Sequence, residues 1–156
     1  MNFSAIKKNV EQILLYGDLN QLINLGEQHT GRVTGALFSF LYSLNEYVRQ
    51  RAIEGLGLLT DRIAQNNPER AKTIMRRIFW ELNDESGGSL WVAPEAAGEI
   101  IYHQPELFQD YVSILASFLD DPALNPGVVR ALKRISKVRP DLIKTEVPDL
   151  DLTGHI

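Results

Sequence analysis

Glu95, Glu99 and His103 stand four residues apart, so on a helix they share one face over two turns. Carboxylate and imidazole side chains can ligate a borderline metal ion, and a carboxylate–imidazole pair can move a proton. Asp84 and Glu85, just upstream, would add oxygen ligands. Three groups strung along one helix do not converge on a single ion without a second element, so the spacing reads as a charged face rather than a metal centre. The histidines are His29, His103 and His155, none in a nucleophile–base arrangement, and there is no cysteine to act as thiolate, zinc ligand or disulfide. Gly87-Gly88 lacks the spacing and the preceding strand of a phosphate-binding or dinucleotide-binding loop. No catalytic residue, metal or cofactor is expected.

A second constellation is basic. Arg130, Lys133, Arg134 and Lys137 follow i, i+3, i+4, i+7 and form one stripe of a helix. The simplest use of such a stripe is a solvated face on a terminal repeat, and the sharper one is an acidic ligand. The segment 147–152, with Asp149 and Asp151, is an acidic candidate within the chain itself. The formal net charge is −4 over 156 residues, which argues against nucleic acid as a partner, since phosphate binding needs a concentrated basic surface. Hydrophobic residues make up 44% and charged residues 23%, enough apolar surface for one packed domain. Neither a leader-like apolar run nor a membrane-spanning run is present, so a cytoplasmic location is expected.

The elements that must carry these groups read as helices throughout. Ile6, Val10, Ile13 and Leu14 make one face, and Gly17 ends that helix. Asp18 then caps a shorter one with Leu22, Ile23 and Leu25. Thr30 opens a third, with Val33, Leu37, Leu41 and Leu44 predicted inward. Asn45 caps a long fourth with Val48, Ala52, Leu56, Leu59 and Ile63 on its stripe. Asn67-Pro68, Gln104-Pro105 and Asn125-Pro126 read as a capping side chain followed by proline at the first helical position; Pro94 and Pro140 mark two starts without that cap. The expectation is eight helices and a short ninth, with no strand.

The helices repeat. In YVRQRAIEGL (47–56), WVAPEAAGEI (91–100) and PGVVRALKRI (126–135), Ala52, Ala96 and Ala131 coincide, as do Leu56, Ile100 and Ile135. A small alanine lets paired helices approach, and the apolar residue four later fills the next turn. Val48-Arg49…Ala52…Leu56 resembles the inner helix of a HEAT repeat, including the short variants first noticed in phycobilin lyases. FLDDPALNPGVVRALKRI resembles the same unit, with Asp-Pro in its turn. The resemblance implies an all-α, right-handed α-α superhelix with helix pairs at 4–26, 30–65, 68–103 and 105–139. It fits a single domain over 1–144 followed by an extended acidic tail, 145–156. Stacked pairs bury a common core and leave an extended inner surface.

The stretch 82–100 departs from the repeat by a longer turn holding Asp84, Glu85, two glycines and Trp91. It resembles a motif of short prokaryotic HEAT-like proteins of uncharacterised function. In the repeat alignment the residue before the key alanine is Arg51, Glu95 and Arg130, and three after it come Gly55, Glu99 and Arg134. Stacked inner helices would then present an Arg–Glu–Arg row. The reading is a non-catalytic interaction module whose partner is another protein. It would bind through Arg51, Asp84, Glu85, Trp91, Glu95, Glu99, Arg130 and Arg134, with the 83–91 turn and the third inner helix forming one surface. The alternative is a HEAT-like enzyme or enzyme subunit, resembling either alkylpurine DNA glycosylases or bilin lyases.

Overall fold

Asn2, Asn45 and Asn67 each lend a side-chain oxygen to a backbone N–H three residues on, where the first turn of a helix has no partner for it. The computed structural model describes residues 1–83 and 91–151. These form ten α-helices: α1 Phe3–Tyr16, α2 Asn20–Gln28, α3 Thr30–Phe40, α4 Glu46–Asn66, α5 Pro68–Leu82, α6 Ala93–His103, α7 Pro105–Phe108, α8 Tyr111–Ala116, α9 Asn125–Ser136 and α10 Pro140–Glu146. A 3-10 turn covers Ser117–Asp120, and no strand occurs among the described residues. None of their helices is long and apolar enough to cross a membrane.

The count exceeds the expected nine because the helix opened by Pro105 breaks at Gln109 and Asp110. Both residues keep right-handed helical backbone, and Val112 N–H bonds the Gln109 carbonyl three residues back. The break is thus a local tightening, not a change of direction in the backbone dihedrals. Two predicted caps also differ. Asn125 lies inside α9, its amide donating to the Leu119 carbonyl, and Gln104 donates to Asp61 Oδ1 at 2.6 Å instead of closing its helix.

One apolar core runs from Ile6 in α1 to Ile143 in α10. The stripe predicted for α4 is buried throughout, as are Ala52, Ala96 and Ala131 with Leu56, Ile100 and Ile135. Leu44 is fully exposed, a correction: α3 ends at Phe40, so the helical stripe does not reach it. The seven extra residues of the first repeat lengthen a helix as expected, α4 having 21 residues against 11 in α6 and 12 in α9. The expected boundary at 144 falls inside α10, and Val147 and Leu150 beyond it pack on the core.

The helices carrying the repeated alanines lie side by side: α4 against α6, and α6 against α9. Two glycines set their spacing. A Cβ on Gly98 would stand 2.6 Å from the Ala131 Cβ and 2.8 Å from its Cα, so α6 and α9 touch at backbone distance. A Cβ on Gly57 would stand 2.7 Å from the Glu99 Cγ, which closes α4 on α6 in the same way.

Candidate functional site

The close contacts at Gly57 and Gly98 bring the polar edges of three helices around one cleft of about 570 Å³. From α4 come Glu46, Arg49, Gln50, Ile53 and Glu54; from α6, Glu95 and Glu99; from α9, Arg130, Ala131 and Arg134; Trp91 stands just before α6. Five of the eight residues singled out in the sequence therefore share one surface: Trp91, Glu95, Glu99, Arg130 and Arg134. Asp84 and Glu85 lie outside the described residues. Arg51 is elsewhere.

Glu99 is only 8% exposed and fully engaged. Arg134 Nε and Nη2 donate to its two oxygens, each at 3.0 Å, in a parallel fork. His103 Nε2 stands 3.5 Å from Glu99 Oε1. Burial pushes this carboxyl up, but the hydrogen bonds and positive charges of His103 and Arg134 outweigh it and hold it below the usual glutamate value. The Arg134 guanidinium is correspondingly raised by its bond to Glu99, and it lies 3.6 Å from the Tyr102 ring centroid. Glu95 is simpler: Arg130 Nε and Nη2 both donate to its Oε1, at 3.1 and 2.8 Å, while 41% of the Arg130 side chain stays exposed.

Two rungs of the expected Arg–Glu–Arg row thus exist, and the third does not. Arg51 donates to the carbonyls of Ile13, Leu14 and Gly17, closing the C-terminal end of α1, where Ile13 also accepts from Gly17 N–H. Ala131 faces Gly98, whereas its repeat counterpart is Ala96; Glu99 faces Gly57, whereas its counterpart is Gly55. Each inner helix meets its neighbour two residues out of repeat register at both contacts, and what sets Arg51 apart is its bonding to the end of α1. The basic stripe of α9 is split as well, since Arg130 and Arg134 are bound to carboxylates of α6.

The α4 side of the cleft escaped the sequence reading. Glu46, Gln50 and Glu54 recur every four residues, beside the buried stripe of Val48, Ala52 and Leu56. That spacing was a usable signal, hidden because polar residues on an exposed helix edge are commonplace. Glu46 and Glu54 are exposed and make no ion pair among the described residues, Glu54 reaching Arg134 only through its field. Arg49 donates to the Ser43 carbonyl at 2.9 Å, and its guanidinium lies 4.8 Å from the ring centroid of Trp91, which is 51% exposed. This cation–π contact fixes the indole at the rim with much of its surface open.

The cleft can hold a side chain or a short segment, offering an indole, an isoleucine and charges of both signs. No group of three or more histidines or carboxylates among the described residues is arranged to hold a metal. A protein of Archaeoglobus fulgidus described as uncharacterized is similar to this chain, 36% identical over 85 residues, which are 54% of this chain and 43% of that protein. The chain therefore spans less than half the length of that relative. No family model and no solved structure matches the chain.

Proposed function

We propose that this chain is a HEAT-like helix-pair module, wound as a right-handed superhelix, that binds another protein on the face of α4, α6 and α9 and catalyses no reaction. The observation that carries this is the cleft of about 570 Å³ with a half-exposed tryptophan held at its rim. Tryptophan over an arginine is a common anchor at protein interfaces, where a large rigid ring adds contact area at small entropic cost. The packing order supports the repeat reading. Helices at corresponding places in successive pairs neighbour each other, α1 with α3, α2 with α4, α4 with α6 and α6 with α9, as stacking along an inner face would give.

The charge state of the cleft favours binding over acid–base chemistry. A general acid near neutral pH needs a raised carboxyl pKa, and Glu99 is depressed. Its ion pair with Arg134 also leaves α9 fewer free cations for phosphate, which favours a protein over a nucleic acid.

Affinity capture with the tagged chain in its native cells tests the reading. Trp91→Ala should lose the captured partner without lowering the melting temperature, while Trp80→Ala, at a 76% exposed indole on α5, should retain it. Loss with Trp80→Ala and retention with Trp91→Ala would move the binding surface to another face.

A further inference from the structure

The charges of the cleft are unequally spent. Arg130 and Arg134 are each held by a carboxylate of α6, and Arg49 is held by the Ser43 carbonyl and the Trp91 ring. Glu46 and Glu54 are exposed on the facing edge of α4 and make no ion pair among the described residues, although Glu54 is near enough to Arg134 to help hold its charge. Glu46, Glu54, Glu95 and Glu99 stand against Arg49, Arg130 and Arg134, so the cleft keeps one net negative charge, and its two carboxylates without an ion pair sit on one wall. An eight-residue separation on a helix is about 12 Å. Ile53 and the Trp91 indole offer the apolar contacts of the same cleft.

We infer that the segment of the partner protein that enters this cleft is extended and cationic, with two lysines or arginines about 12 Å apart and apolar residues between them. In an extended chain rising about 3.3 Å per residue, that distance separates residues three or four apart. The cations pair with Glu46 and Glu54, and an apolar side chain between them rests on Trp91 and Ile53. This inference rests on the proposed binding surface and adds the chemistry of what binds there.

The test uses the full chain carrying Trp80→Phe, so that Trp91 is the one remaining indole of the two in the sequence. The probes are two blocked pentapeptides, one with lysine at both ends and leucine, phenylalanine and valine between, the other with glutamate in place of both lysines. The lysine-ended peptide should shift Trp91 emission saturably, less at high salt, and the glutamate-ended peptide should not. Glu46→Gln with Glu54→Gln should weaken the lysine-ended peptide about three- to tenfold, the scale of two exposed ion pairs. Equal binding of both peptides, or affinity unchanged in the double variant, overturns the inference. If neither peptide moves Trp91 while Trp91→Ala still abolishes partner capture, the cationic segment is wrong and the surface stands. If capture also survives Trp91→Ala, the surface is wrong too.

Discussion

Replacing Glu99 with glutamine separates a rung of the helix stack from a free binding group. The carboxylate is 8% exposed and accepts two hydrogen bonds of 3.0 Å from Arg134, whose side chain is 33% exposed. Glutamine keeps the shape and one acceptor oxygen but removes the charge. A hydrogen bond to a charged partner contributes about 1.5–3 kcal/mol against about 0.5–1.5 for a neutral one, so the exchange costs about 1–2 kcal/mol. Breaking a fully buried pair would cost about 3–5 kcal/mol, and the lower figure applies because a third of Arg134 is still in water. For a chain of this size 1 kcal/mol moves the melting temperature by about 2–4 °C, so a fall of roughly 2–8 °C is expected by circular dichroism. The double-mutant cycle with Arg134→Gln should return a coupling of the same order. A fall under about 1 °C, with coupling near zero, would refute the claim that this pair joins α6 to α9.

Further outcomes follow from the same geometry. Any side chain at position 98 must push α6 off α9, so Gly98→Ala should lower urea-unfolding stability by about 1–3 kcal/mol despite alanine's better helix propensity. Gly31→Ala is the control: its nearest neighbour would be Arg70 Nη2 at 3.9 Å, and the change should be neutral or stabilising by up to about 1 kcal/mol. Arg51→Met should cost about 1–3 kcal/mol in the same assay by taking the guanidinium donors from the Leu14 and Gly17 carbonyls, Ile13 keeping the Gly17 N–H, while leaving partner capture intact. Because the folded pKa of Glu99 lies below its unfolded value, its contribution is present at neutral pH. It is lost as pH falls through that depressed value, below about 4.3. The acid-side drop in melting temperature should therefore be shallower in Glu99→Gln than in the parent chain.

Much of the fold was legible because its signals are local. Asn45 and Asn67 cap where capping chemistry put them, and the alanine–apolar pairs of the three inner helices are all buried. The pairing of Glu95 with Arg130 and Glu99 with Arg134 followed from matched repeat positions with opposite charge. What the sequence hid depends on how helices meet. The two-residue stagger at Gly57 and Gly98 is invisible in an alignment of one chain to itself, and so is the end of α1 that takes Arg51. Glu46, Gln50 and Glu54 of α4 line the cleft, although nothing in their types marks them out. The break at Gln109 and Asp110 was hidden too, since neither residue is a helix breaker.

The central claim is that the face of α4, α6 and α9 receives a partner protein. A photo-crosslinking residue placed at Gln50, inside the cleft, tests it most directly against the same residue at Ile114, which is 45% exposed on α8. After capture from native cells and irradiation, a crosslinked partner band is expected from position 50 that is lost when Trp91→Ala is added, and none from position 114. A band from position 114 with none from position 50 would contradict it.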